Sequence, residues 1–387
     1  MISLALGNLL VYESGRDDAS DPQTVAAGAG QNEIHFTEAP FAMKITQILA
    51  TFLIASGGGF LFHLLRIPLP WMLGPLTATI IYHAVSDKHA RWPVELRNLG
   101  LIVIGYSMGR TVTLETTRQI LANLPAMFAV TFFTVLFCLG IGYITHRRTG
   151  ISLASGMLGS IPGGLAQMVL LTEEIEDADV TVVTFMQMTR VLAVVFSVPF
   201  IAAYGIGPMP GGLASPLAST SPYGLVAALP AILAAPVGAW LASRLKLPIP
   251  CLLGPIFATA AAVLLGSPAP PVPSPLMNLA LIFFGTYFGV IITLESLRKL
   301  GKVFPYAIGG AAALLALTYL MGFGLTLFTP ATLLTGFLST APGGLSEVGV
   351  VALALHADVA FIMAYQMFRL FTILLLVPPL LRWRFRR

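Results

Sequence analysis

The chain is written twice, and that duplication restricts its fold more than any other feature. The second half repeats the first at a shift of 180 residues. PLPWMLGP at Pro68 to Pro75 returns as PIPCLLGP at Pro248 to Pro255. Gly105, Gly109, Thr113, Leu114, Glu115 and Arg118 return as Gly285, Gly289, Thr293, Leu294, Glu295 and Arg298. SIPGGL at Ser160 to Leu165 returns as TAPGGL at Thr340 to Leu345. After a one-residue slip, QMTR (Gln187 to Arg190) returns as QMFR (Gln366 to Arg369). Two such copies fold alike and face one another, so a functional site is expected on the axis between them.

Composition decides the medium. The chain is 56% hydrophobic and 10% charged, with a mean hydropathy of +0.86. A soluble domain carries about 25% charged residues, so this one could not clothe a water-facing surface. Apolar runs of about twenty residues, each long enough to cross a bilayer core, recur from Ile45 to Pro379. The expectation is an all-α polytopic membrane protein in which the pI near 9.1 reflects basic residues at the cytoplasmic face. Cys138 and Cys251 show no metal-type spacing and read as buried small hydrophobes. Residues 1–42 are polar and acidic, and read as a disordered tail or as an overlong start before Met43.

Each copy offers six apolar segments. Copy one places them at about 45–65, 68–86, 98–114, 122–145, 151–172 and 180–204, within a repeat spanning 43–205. After a 206–222 linker, copy two (223–387) places them at about 224–243, 248–265, 277–294, 304–328, 331–353 and 359–381. In both copies the fifth is interrupted by Pro-Gly-Gly, where proline removes a backbone donor and the glycines weaken a continuing helix. It can be a full crossing or a re-entrant hairpin. With six crossings per copy, Lys and Arg in the connections divide ten inside to seven outside; with five and a hairpin they divide fifteen to two. The excess of cytoplasmic Lys and Arg in membrane proteins selects the second arrangement. The expected architecture is two inverted-topology repeats, ten transmembrane helices plus two re-entrant Pro-Gly-Gly hairpins, with both termini cytoplasmic.

The candidate binding residues gather at the breaks. Ser160, Pro162, Gly163 and Gly164 match Thr340, Pro342, Gly343 and Gly344. A short helix starting at such a break presents unpartnered N–H groups and a positive dipole end, which suit an anion. A close-packing kink is the plainer reading. One turn on, Gln167 is answered by Glu347, a lone carboxylate in an apolar segment that should be protonated or paired with arginine. Arg190 and Arg369 are the candidate partners, with Gln187 and Gln366 one turn earlier. The set reads either as a net-positive cavity for an anionic or zwitterionic solute, with Glu347 available for proton coupling, or as an Arg–Glu lock between helices. Asn98 and Asn278 read as helix caps, GGGF at Gly57 to Phe60 as packing glycine, and the paired proline motifs as kinked helix starts.

Enzyme and nucleic-acid readings find no support in the residues. The six histidines are dispersed, and no metal, Walker, Rossmann or nucleophile-elbow pattern occurs. No soluble segment is long enough for a folded DNA-binding module. No cofactor or metal is expected; the partners are the lipid bilayer and a small solute, and nucleic acid is not among them.

The paired LPWMLGP/IPCLLGP and IPGG/APGG motifs with the QMxR ending resemble the bacterial AbrB-duplication membrane protein family, over about residues 45 to 380. The resemblance implies an inner-membrane protein of two related repeats. Family labels include regulation of gene expression and ammonia monooxygenase, and no catalytic or substrate-binding residue set comes with it. The expected function is a secondary transporter or exporter; the alternatives are a membrane-embedded regulator or sensor and, third, a membrane monooxygenase.

Overall fold

A backbone inside hydrocarbon must bond to itself, so the apolar runs of this chain fold as helices. The computed structural model describes residues 41–86, 91–206, 225–292 and 301–385. The acidic tail and the linker between the copies lie almost wholly outside the described residues, as do Thr293 to Arg298. The chain divides into two units after Met43, and the arrangement that follows is that of Lys44–Arg387.

Copy one supplies α1 (Phe41–Leu64), α2 (Pro70–Val85), α3 (Val94–Gly109), α4 (Leu114–Ala122), α5 (Leu124–Thr149), α6 (Leu153–Ser160), α7 (Leu165–Glu173) and α8 (Val180–Phe200). Copy two answers with α9 (Leu225–Arg244), α10 (Pro250–Leu264), α11 (Ser274–Ile291), α12 (Phe304–Phe328), α13 (Leu333–Thr340), α14 (Leu345–Ala354) and α15 (Val359–Phe385). No strand occurs among the described residues. Asn98 and Asn278 lie inside α3 and α11 and are not caps. The reason is that the helices start earlier, at Val94 and Ser274, each directly after a proline; Asn98 instead accepts from Arg97 at 2.8 Å.

Among the described residues, seven helices are long and apolar enough to cross a membrane, including Leu124–Thr149, Phe304–Phe328 and Val359–Phe385. Their outer faces leave Leu53, Phe128, Phe132, Trp240, Leu320 and Leu375 more than half exposed. Such contiguous apolar surface is tolerable only against lipid. The molecule is a multi-pass helical membrane protein. α2, α3 and α10 are shorter, at 16, 16 and 15 residues, and a helix of that length spans only about 24 Å. They are the helices through which the copies interlock.

That interlock is built on small residues, because close approach and dispersion, rather than hydrophobic exclusion, hold helices together in lipid. Within the copies, Gly58 faces Gly74 and Gly142 faces Gly156; equivalently, Gly238 faces Gly254 and Gly322 faces Gly336. Between the copies, α3 sets Gly105 and Gly109 against the carbonyls of Leu252 and Ile256 on α10. Reciprocally, α11 sets Gly285 and Gly289 against those of Met72 and Leu76 on α2. A Cβ on Gly105 would stand 2.8 Å from the Leu252 oxygen, too close for any larger residue. Exchanging the copies maps each contact onto the other, the self-complementary pattern of a twofold relation. The turns before α2 and α10 repeat as well: Leu69 (φ 52°) and Ile249 (φ 47°) both take the left-handed conformation.

α8 and α15 form the centre. Half of the most apolar window of α15 and 44% of that of α8 is buried, against 17% for α1. The main core cluster draws Leu73, Ile104, Val194, Leu252, Phe284 and Ile362 from helices of both copies.

Candidate functional site

Each fifth segment is a helix, a four-residue break and a second helix. α6 ends at Ser160 and α7 starts at Leu165; α13 ends at Thr340 and α14 starts at Leu345. Proline causes the break by forcing its predecessor out of the helical region. Ile161, before Pro162, has ψ 131°, and Ala341, before Pro342, has ψ 136°. The first halves are anchored alike. Ser152 and Thr332 cap α6 and α13 by accepting from the Ser155 and Thr335 amides. The hydroxyls of Ser155 and Thr335 accept from the amides of Asp179 and Asp358, which head the last helices.

A helix that stops leaves carbonyls without partners at its negative dipole end. The QMxR residues meet that need. Gln187 donates to the carbonyls of Leu158 and Ile161, both at 2.8 Å, and Gln366 donates to those of Leu338 at 2.9 Å and Ala341 at 3.1 Å. Arg369 donates to the Ala341 carbonyl at 2.6 Å, the Gly343 carbonyl at 2.8 Å, the Thr340 carbonyl at 3.3 Å and Gln366 Oε1 at 2.6 Å. Arg190 makes fewer bonds: to Gln187 Oε1 at 2.7 Å and to the Ser160 carbonyl at 3.3 Å, with its Nε unpartnered.

The pairing of Glu347 with arginine expected from the sequence is not formed. The ion pair seen among the described residues, Arg382 with Glu174 at 2.7 Å, is half exposed. The arginines turn toward helix-end carbonyls instead, because those acceptors lie one turn away and would otherwise be orphaned. Glu347 folds back over Gly344 at the start of its own helix, and Gln167 folds back over Gly164 in the same way. Glu347 Oε2 is buried without a hydrogen-bond partner. The hydroxyls of Ser160 and Thr340 also point backward, donating to the carbonyls of Gly156 and Thr318.

The breaks pack crosswise. A Cβ on Gly343 would touch Val194 of α8 at 3.2 Å, and one on Gly163 would touch Ile373 of α15 at 3.1 Å. Each break therefore rests on the other copy's last helix, one turn beyond its arginine. The two arginines are near enough for their charges to act on each other, and the Cys138 thiol in mid-α5 feels both. Cys138 and Cys251 are free thiols, and Cys138 is fully buried, as the sequence suggested. Its place beside both arginines was not legible, because no motif marks it. The 14 residues singled out thus fall at the two breaks and the two arginine–glutamine clamps.

A cavity of about 20 Å³, lined by Ser160, Met186, Arg190 and Gly310 among others, opens beside Arg190; that is about the room one water occupies. A larger cleft of about 340 Å³ lies between Ser152 and Ser155 on one side and Glu176, Asp177 and Asp179 on the other. Asp179, Val182, Met186 and Arg190 succeed one another at helical spacing along one face of α8. Met186 lines the smaller space, its sulfur against Gly159. Among the described residues, no three His, Cys, Asp or Glu side chains gather as a metal site would require.

Two interlocked helical copies, each broken where it meets the other's central helix, define a duplicated multi-pass membrane protein. The chain belongs to the AbrB family: the family model described as "Transition state regulatory protein AbrB" matches residues 71–385. It is 29% identical over 327 residues to "Putative regulator AbrB" of Escherichia coli (strain K12), covering 83% of this chain and 92% of that protein. It is 25% identical over 354 residues to "Uncharacterized protein YhjN" of Bacillus subtilis (strain 168), covering 85% and 91%.

Proposed function

We propose that the protein is a secondary transporter of the bacterial inner membrane that carries a small anionic or zwitterionic solute between two inverted repeats. Ten crossings and two re-entrant hairpins form the scaffold, and both termini are cytoplasmic. Three contacts between distant segments support this topology over twelve crossings. Arg382, near the C-terminus, pairs with Glu174 after α7. Tyr204, at the end of copy one, donates to the Arg66 carbonyl at 2.9 Å. Arg110, after α3, donates to the Ala269 carbonyl at 3.2 Å. Twelve crossings would put the members of each pair on opposite sides of the membrane, whereas the inverted arrangement puts each pair on one side.

The observation that carries the solute reading is Arg190. It is a buried cation with no carboxylate paired to it among the described residues, a free Nε–H, and a cavity beside it. Cations in membrane interiors mark solute paths, because an uncompensated charge there is costly. The state described is closed: the space beside Arg190 has room for about one water and not for a solute.

The test is melting of the purified protein in detergent against a panel of small carboxylates, inorganic phosphate and amino acids. A true solute at about 100 times its Kd adds about 2.7 kcal/mol, and Arg190→Gln removes that gain. A panel with no stabilising member, or a gain that survives Arg190→Gln, removes this reading.

A further inference from the structure

The copies differ in one titratable group at the breaks, and the molecule contains its own control for what that group does. Gln167 and Glu347 occupy equivalent positions, one turn into α7 and α14, and each lays its side chain over the glycine that starts its helix. In copy one a neutral amide fills that role. The fold therefore does not need a charge or an exchangeable proton there, yet copy two has a carboxyl. Glu347 is 7% exposed; its carboxyl is contacted by the Ser346 hydroxyl and its own backbone amide, and its second oxygen has no partner. α14 packs against α3, α8, α13 and α15. Those helices carry Glu95, Arg97 and Tyr106 (α3, with Arg110 just after it), Arg190 (α8), and Tyr365, Arg369, Arg382 and Arg384 (α15) as titratable or charged groups, and α13 carries none. None of them forms an ion pair or hydrogen bond with Glu347 among the bonds described. Arg369, the nearest in motif, directs both of its Nη groups to three carbonyls and Gln366.

A carboxyl in such a place keeps a charge only while a cation or water stands beside it, and otherwise holds a proton. The Gly343 side of the same break lies against α8 one turn beyond Arg190, so movement that opens the Arg190 cavity also disturbs the packing around Glu347. We propose that the coupling ion of the transporter is the proton, and that Glu347 of copy two carries it while Gln167 holds the equivalent place in copy one without titrating. The chemistry is simple and balanced: one proton binds to the carboxylate oxygen from one side of the membrane and leaves to the other, with no other bond made or broken. The inference rests on the transport reading above and adds to it the identity of the ion and of its carrier.

Infrared spectroscopy of the lipid-reconstituted full chain, in light and heavy water, tests it without knowledge of the solute. The wild type should show a protonated-carboxyl band that shifts in heavy water and disappears at a single midpoint between about pH 4 and about pH 10. Glu347→Gln should lack that band and melt within about 2 °C of wild type, because the second copy would then carry the residue the first already tolerates. Glu347→Asp should keep a titrating band with a moved midpoint, which keeps the test decisive if the glutamine variant folds poorly. A band that does not titrate, or that survives in Glu347→Gln, overturns the proposal. If solutes still stabilise the protein through Arg190 while Glu347 is silent, the proton proposal alone is lost. If no solute binds but the band titrates as described, the transport reading is lost and the proton site remains.

Discussion

The two breaks were built from one sequence and are no longer alike. Copy two's holds its arginine more firmly: Arg369 has four acceptors, Gly344 sits at an ordinary φ of −72°, and Thr340 reaches across to the Thr318 carbonyl at 2.6 Å. Copy one's is looser. Arg190 has two acceptors and a free Nε, Gly164 sits at φ 86°, and the Ser160 hydroxyl bonds only within its own helix. Thr318 is answered in copy one by Cys138, a weak hydrogen-bonding group. Duplication thus supplies one stiff and one adaptable version of the same device. The stiff one leaves its acidic residue without an arginine partner among the described residues, and the adaptable one leaves its arginine with spare capacity.

The largest expected effect separates the arginines. Arg369→Ala should destabilise the protein by about 3–5 kcal/mol, as when a buried charged partner is removed from a satisfied network. Arg190→Ala should cost about 1–3 kcal/mol, the range for fewer orphaned groups. Denaturant unfolding in micelles that returned equal losses, or the reverse order, would break the contrast. A smaller effect separates the glycines. Alanine at either position meets the end of a flexible side chain, Gln167 or Glu347, but only Gly164 has a left-handed φ. Gly164→Ala should therefore cost about 1–2 kcal/mol more than Gly344→Ala, and similar losses would show that the two backbones relax to one conformation. The smallest effect belongs to the exposed Arg382–Glu174 pair. Glu174→Gln should change stability by no more than about 1 kcal/mol, since solvent and salt screen such pairs. Its larger use is topological: single cysteines at 174 and 382 should label from the same side of the reconstituted membrane. Labelling from opposite sides would remove the inverted arrangement.

Much of this was legible residue by residue. Pro162 and Pro342 announce the breaks, because the effect of proline on its neighbour is local and holds in any surroundings. The glycine echo from Gly105 and Gly109 to Gly285 and Gly289 marked positions that proved to be contact points, although the sequence does not name the carbonyls they meet. GGGF was read correctly in part, since Gly58 packs on Gly74 while Gly57 faces open space. Asn98 and Asn278 misled because a cap depends on where the helix starts, and the prolines upstream moved that start by a turn. The arginine–glutamate pairing misled for a different reason. Opposite charges in an apolar chain suggest one another, but the unpaired carbonyls at a helix end are acceptors that no residue pattern displays.

The amino-acid order alone determined that the chain lies in lipid, that it folds as two copies of a broken-helix unit, and which side chains gather at the breaks. These follow from composition, periodicity and the covalent geometry of proline, which act over a few residues. Tertiary structure alone decided which group satisfies which: that Arg369 is consumed by backbone carbonyls, that Arg190 keeps a free donor beside a cavity, and that Glu347 stands unpaired where Gln167 stands in the other copy. Hydrogen bonds and charges are settled by distances of a few ångströms between segments far apart in sequence, and those distances exist only once the two copies have closed on each other.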